Sequence, residues 1–369
     1  MISYFKNFFS SFKDRKFSFK ISFVLLILLW IFLMIITLVP LNYEMTTPGV
    51  YTRTTNDVYV VNGNNRGNIY TLGVYGKRKL TILESWLVKI DPKSDLDPYD
   101  PKTDMSDKEF NRFGTISHSI SNINAIYVAF NTFKEKNPNQ FKTHYNPYLP
   151  PEKVLDAEYK GLLVSALRKE YTGAIKTDDI ITHLNGELIT SFEQFLEKIR
   201  LHLKTNDNYK VTVIRNYNKE NETSFEITDA PVAKDDQRYL PYYLEDYIRL
   251  YKLEPLVLIS QASSIGSSGG AMKALAIYDA LHYQSIILGL NVVGTGTIDM
   301  HGNIHEIGGI RQKIITASDG NFDVFFVPKA NYEEAKAEYD NIYTDKEGFD
   351  LVAVETFSDI LEYFEAGEE

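Results

Sequence analysis

The chain contains no cysteine. Disulfides, thiol catalysis and cysteine–zinc sites are thereby excluded. Absent cysteine also fits an exported domain, although weakly. There is no Gly-x-x-x-x-Gly-Lys-Ser/Thr phosphate loop in the 369 residues. The segment "GSSGGAMK" holds glycines without that spacing, so no ATP and no other cofactor is expected. Excess positive charge is missing too: 39 Lys and Arg face 49 Asp and Glu, a net charge of −10. That balance argues against a general nucleic-acid binder. No internal repeat is visible.

What is present begins with one long apolar run. Ile21 to Val39 reads "ISFVLLILLWIFLMIITLV", with no charge, and is long enough to cross a bilayer as a helix. A cleaved signal peptide would have a shorter apolar core and a small-x-small site after it. Here Pro40-Leu41-Asn42-Tyr43-Glu44 follows, so an uncleaved anchor over 21–41 is the preferred reading. Residues 1–20 carry Lys6, Lys13, Arg15, Lys16 and Lys20 against Asp14 alone. Basic flanks remain cytoplasmic, which predicts a single-pass protein in the cell membrane with everything after Leu41 outside.

Residues 42–152 read as a β-rich connector and a helical segment. "VYVVNGNNRGNIYTLGVYG" alternates between strands and Asn-Gly turns. "KLTILESWLVKI" is read as a further strand and 91–107 as an Asp/Pro-rich loop. Ile116 to Lys134 carries an apolar stripe at helical spacing. A compact pattern then covers 153–229: the strand "YKGLLVSAL", a strand and Asn185-Gly186 hairpin, the helix "SFEQFLEKIRLHL" capped by Ser191 and Gln194, and two closing strands. This arrangement resembles a PDZ domain on Gly161-Leu162-Leu163-Val164, Gly173-Ala174-Ile175, Asp178-Asp179-Ile180-Ile181 and Asn185-Gly186. The resemblance implies capture of an extended peptide at a sheet edge beside Gly161, Leu162, Leu163 and Val164. Any other small α+β sandwich is the alternative.

Residues 240–369 alternate between strands and helices, which predicts α/β layers. A polar helix is expected around Leu240 to Leu253, before the strand "PLVLIS". Next comes a dense cluster of small residues, "SSIGSSGG", running straight into the apolar "AMKALAIYDAL". A small-residue turn between a strand and a buried helix presents a hydroxyl beside free backbone N–H groups, which suits a serine nucleophile facing an oxyanion. Such a serine needs a base. His301 and His305 have no clear acidic partner in the sequence; they read as a surface hairpin pair, with a metal site as the minor alternative. Lys313 flanks the Ile310, Ile314 and Ala317 face of a helix, where desolvation would lower its pKa. Most lysines so placed reach water instead.

Four boxes in order resemble those of the Lon-type serine proteases. Gly266-Ser267-Ser268-Gly269-Gly270 is similar to their Gly-Pro-Ser-Ala-Gly box, and Gly294-Thr295-Gly296-Thr297-Ile298 to their Thr-Gly-Glu-Ile strand. The run Gly302 to Lys313 resembles their Gly-x-Val-x-x-Ile-Gly-Gly-Leu-Lys-x-Lys stretch, and Phe325 to Asn331 their Ile-Ile-Pro-x-x-Asn. With the anchor and the PDZ-like segment, the chain resembles the membrane-anchored, PDZ-containing Lon-like proteases of Gram-positive bacteria. The resemblance implies an α+β protein with a transmembrane helix, a PDZ-like domain and a Lon-type α/β proteolytic domain over 240–369. It implies Ser268 as nucleophile, Lys313 as general base and Thr295 as the group holding the amine. Backbone amides of the Gly266, Gly269 and Gly270 turn would receive the oxyanion. Without an ATPase, its substrates would be peptides or unfolded proteins outside the cell. Two positions depart from the family box, Ser267 for Pro and Gly269 for Ala. They leave open a catalytically inactive PDZ adaptor on a degenerate protease fold.

Overall fold

The computed structural model describes residues 16–101, 105–137, 154–205, 207–217, 219–234, 237–260, 265–344 and 348–366. Lys6, Lys13, Asp14, Arg15, Ser263, Ser264 and most of the 137–153 connector lie outside the described residues. The chain divides into two compact units, Met1–Thr47 with Tyr75–Asp100, and Pro48–Val74 with Pro101–Glu369.

The first unit holds α1 (Phe17–Leu38), whose only buried residue is Ile36. At 1.5 Å per residue α1 is about 33 Å long, the thickness of a bilayer core. Strand β1 (Tyr43–Arg53) begins here and pairs antiparallel with β4 (Asp95–Pro98), Tyr43 opposite Pro98. The expected strand at 79–90 is instead a helix, α2 (Ile82–Ile90). Its start explains why. Thr81 Oγ1 accepts from the Glu84 N–H, and the Glu84 carboxylate accepts from the Thr81 N–H at 2.9 Å. That reciprocal cap satisfies two helix-terminal donors and sets the helical period.

The second unit contains two structured bodies of its own. One is a parallel run of strands β3 (Asn68–Arg78), β14 (Asn291–Gly294), β17 (Val324–Pro328) and β18 (Asp350–Val354). Alternation along β17 sends Phe326 and Val324 to one face and Phe325 and Val327 to the other. The first face is covered by α3 (Asp107–Lys136), α5 (Gly270–Leu281) and α8 (Phe357–Ala366). The second is covered by α6 (Ile310–Ser318) and α7 (Tyr332–Ile342). Every residue of α5 is buried, Lys273 and Asp279 included, which is why apolar residues occur on all its sides. Residues 48–74, read as part of a connector, supply β3 to this sheet and β2 (Val58–Val60) to a pair with β13 (Val257–Ile259). Helix α3 starts at its Ser106–Glu109 capping box, earlier than the apolar stripe alone indicates.

The other body is the antiparallel sheet β12–β5–β6–β8–β9. Its strands are β5 (Leu155–Leu167), β6 (Ile180–Leu184), β8 (Tyr209–Arg215), β9 (Thr223–Asp229) and β12 (Tyr242–Leu253), with α4 (Phe192–Thr205) packed on it through Phe195 and Ile199. Asn185 and Gly186 both have positive φ and close the expected hairpin between β6 and β7 (Glu187–Leu188). The polar helix expected at 240–253 is β12, paired with β5 along nearly its whole length. Three register shifts in that pairing disturb the alternation that would have marked a strand.

Candidate active site

Three elements of the second unit converge on one hydroxyl. Ser268 stands in the turn immediately before α5. Thr295 follows the end of β14. Lys313 lies in the first turn of α6, which the left-handed Gly309 (φ 68°) turns back toward the sheet. The amine of Lys313 is 2.8 Å from the Ser268 Oγ and 2.8 Å from the Thr295 Oγ1. Lys313 is 2% exposed, on the helix whose Ile310, Ile314 and Ala317 are fully buried in the core. Burial pushes its amine down to about 7. The lysine is therefore neutral for an appreciable fraction of the time at physiological pH.

The threonine fixes the direction of the hydrogen bonds. Its single hydroxyl proton is donated to the Ser268 carbonyl, at 3.0 Å. Thr295 Oγ1 must then accept from the Lys313 amine. One lysine N–H is thus committed to Thr295, and the lone pair of the neutral amine is left for the Ser268 hydroxyl. Ser267 is placed differently. Its Oγ lies 2.9 Å from Thr297 Oγ1, and of the two adjacent serines Ser268 is the one against the lysine.

The turn is held from outside by α3, to which sequence reasoning assigned no part in the site. Ser121 Oγ donates to the Ser267 carbonyl at 2.9 Å, and the Gly266 N–H donates to the Gly114 carbonyl at 2.9 Å. The His118 Nδ1 lies 3.1 Å from the Gly266 carbonyl. Asn122 accepts from Lys273 at 2.8 Å, a second buried lysine whose pKa is lowered by burial. The signal was available only as small residues, Gly114, Ser117 and Ser121, recurring on one helical face.

The expected oxyanion turn needs a correction. The Gly266 amide is spent on Gly114, and the Gly270 amide on the Ser267 carbonyl at 3.0 Å. Neither can serve a substrate without breaking a bond the structure already makes. Gly269 is the residue capping α5, at φ −92°. Gly270 is required for another reason: a Cβ there would sit 2.4 Å from Ser121 Oγ.

The expected peptide-binding stretch also changes. Gly161 to Val164 lie within β5 and pair with β12 on one side, while Leu162 and Leu163 pair with β6 on the other. A central strand has no free backbone edge to offer. The sheet's terminal strand on that side is β12.

His301 and His305 belong to the β15 (Thr297–Ile298) and β16 (Ile304–His305) hairpin. Asp299 organises it, accepting from the His301 and Asn303 N–H groups. The His305 Nε2 lies 2.9 Å from Asp299, which raises the imidazole pKa. None of these three hydrogen bonds involves Ser268 or Lys313. Among the described residues no group of three His, Cys, Asp or Glu could hold a metal ion.

Residues 263–365 match the family model of the Lon protease (S16) C-terminal proteolytic domain. A Lon protease of Campylobacter jejuni is 36% identical over 73 residues, 20% of this chain and 9% of that protein. A Lon protease of Azospirillum brasilense is 29% identical over 98 residues, 27% of this chain and 12% of its own length. One from the Aster yellows witches'-broom phytoplasma is 28% identical over 96 residues, 26% of this chain and 12% of that protein. The chain therefore spans about a tenth of the length of these curated relatives. It carries a Lon-type proteolytic domain, and that domain implies a serine peptidase.

Proposed function

We propose that the protein is an ATP-independent serine endopeptidase, anchored in a membrane by α1, that cleaves extended peptides or unfolded proteins with a Ser268–Lys313 dyad. The observation that carries this reading is the 2.8 Å approach of the buried Lys313 amine to Ser268 Oγ. As Ser268 Oγ bonds to the substrate carbonyl carbon, its proton passes to the neutral amine and the carbonyl π electrons move onto oxygen. The Ser268 and Gly269 amides, at the N-terminus of α5, receive that oxyanion. The lysine ammonium then gives its proton to the departing amine nitrogen as the C–N bond breaks. Water, deprotonated by the same lysine, hydrolyses the acyl-serine.

ATP independence is supported by the lack of a phosphate loop in these residues. The orientation, with the body outside, is supported by Lys16 and Lys20 and the other basic residues before Ile21. We assign substrate recognition to the PDZ-like sheet, with the outer edge of β12 as the position where an extended chain adds. Reaction of the purified protein with a serine-directed phosphonate, followed by mapping of the adduct, tests the core of this reading. Modification of Ser268 that vanishes in Ser268→Ala is expected. Modification of Ser267 alone would move the nucleophile by one position and overturn the Ser268–Lys313 dyad, whereas peptide binding without cleavage at any pH would replace the enzyme with the adaptor reading.

A further inference from the structure

Helix α2 is amphipathic in an unusual sense: its apolar side is the one left in the open. Ser85 and Val88 are buried, while Trp86, Leu87 and Ile90 are 47%, 58% and 78% exposed. At roughly 100° per residue, Leu83, Trp86, Leu87 and Ile90 fall within an arc of about 100°. Trp86, Leu87 and Ile90 therefore form one exposed stripe, with the half-buried Leu83 at its start. A soluble surface rarely leaves such a cluster uncovered without a partner.

The neighbouring chain indicates which partner. Helix α2 packs beside α1 within the same unit. The Thr81 cap of α2 bridges to Pro40, two residues beyond the end of α1 at Leu38. The Leu41 N–H donates to the Leu80 carbonyl at 2.7 Å, and Leu80 is fully buried. Helix α2 therefore starts at the level where the apolar helix stops. Lys89 and Lys93 are exposed at its far end. A tryptophan beside leucine and isoleucine, with lysines at the margin, is the composition of a helix resting at the boundary between acyl chains and headgroups.

We infer that α2 is a second membrane contact, a helix lying in the lipid interface with Leu83, Trp86, Leu87 and Ile90 inserted beside the outer end of α1. The inference rests on α1 being a membrane span. A lipid surface is favoured over a protein partner because α2 packs beside α1, whose own apolar side chains are exposed in the same unit. The consequence is that two points, not one, tie the first unit to the bilayer and limit its tilt.

The absence of cysteine makes the test direct. Single-cysteine variants Leu28→Cys in α1, Ile90→Cys in α2 and Asp97→Cys in β4 of the full chain would each carry one nitroxide label. They would be reconstituted in vesicles of phosphatidylethanolamine and phosphatidylglycerol, and relaxation by oxygen compared with relaxation by an aqueous nickel chelate. The oxygen-to-nickel ratio at Ile90 is expected to be several-fold above that at the aqueous reference, Asp97, and below that at Leu28. An aqueous ratio at Ile90 with a deep one at Leu28 would overturn the interfacial helix and leave the span intact. An aqueous ratio at Leu28 would overturn the span and the inference with it. An Ile90 label shielded from both agents would mean a protein cover, such as a second copy, and would also overturn it. Blue-shifted Trp86 emission in a Trp30→Phe variant, quenched by lipids brominated near the headgroup, gives an independent reading; water-like emission there counts against the inference.

Discussion

On the proposed dyad, Lys313 would set the pH behaviour of both activity and stability, and the two would run together. Burial holds its amine at about 7, against about 10.4 for an exposed lysine. Cleavage is expected to rise with a single deprotonation near neutrality and then level off, as kcat/KM measured across pH would show. Lys313→Arg should be inactive, because guanidinium stays charged and cannot take the proton. The same depressed pKa costs stability. Between about pH 7 and 10 the unfolded chain binds a proton that the folded chain does not, so this group's contribution improves as pH rises through that window. Lys313→Met should therefore raise the urea midpoint at neutral pH by an amount that shrinks toward pH 10. An unchanged pH dependence of that midpoint in the variant would show that Lys313 is not the titrating group.

The two glycines after Ser268 differ in what they permit. A Cβ on Gly269 would meet Thr71 Cγ2 at 3.2 Å, which asks a methyl group to yield by a few tenths of an ångström. Its φ of −92° suits alanine. Gly269→Ala, which restores the residue of the related box, should keep cleavage and add up to about 1 kcal/mol by restricting the unfolded chain. Gly270→Ala drives its methyl to 2.4 Å from Ser121 Oγ and 3.0 Å from Ile298 Cγ2. It should displace α3 from the turn and lower kcat by at least ten-fold. Comparable activity in both variants would argue that the α3 support is dispensable.

At the scale of elements, the start of α4 joins three parts of its sheet. Gln194 N–H donates to Ser191 Oγ at 3.1 Å, while the Gln194 side chain accepts from the Thr190 N–H at 2.9 Å. Asp246 on β12 accepts from both the Phe192 N–H and the Tyr159 hydroxyl. Ser191→Ala should cost about 1 kcal/mol. Asp246→Ala should cost more, since it strands two donors at once. Desolvation raises the Asp246 pKa to about 6, above the ordinary value near 3.9. Its contribution is thus fullest below about pH 4 and is lost as pH rises through about 6; Asp246→Asn should remove that slope from urea titrations.

The same sheet shows where sequence reading stops. The Ser268, Thr295 and Lys313 triangle was expected only through the resemblance of three short runs to the Lon-type boxes; the residues alone left the base open. Helix α5 was legible because its apolar run is long. Strand β12 was not. Leu244, Ile248 and Tyr251 recur at helical spacing, and the register shifts against β5 that explain this are properties of the partner strand. Helix α2 was misread because its apolar residues face outward, where a short window gives no core to phase against. The grip of α3 on the serine turn joins Ser121 to Ser267 and Gly114 to Gly266 across distances that no local pattern encodes.

At the scale of the whole molecule, the matched proteolytic segment does not supply its own complete sheet. Asn68 to Thr71 of β3 pair with Asn291 to Gly294 of β14, and Val58 to Val60 pair with Ile259 to Val257. A fragment of residues 240–369 would leave both partners and the α3 face without cover. It should be aggregation-prone or lack a cooperative urea transition, whereas co-expression with residues 42–239 should restore one. A stable, cleaving fragment would show that residues 48–136 are accessory.

That split sheet also sets an order of events during synthesis. Strand β3 leaves the ribosome early and waits, with its hydrogen bonds to β14 unmade, while everything from Thr81 to Leu290 is produced. Such distant pairing is slow to form. Ser268 emerges before Lys313, and the helix bearing the lysine has no surface to bury against until β14 and β17 have joined the waiting strand. The hydroxyl therefore meets its base only after nearly the whole chain has been made. A nascent chain therefore carries the serine without the lysine amine beside it until β14, β17 and the helix between them have been made.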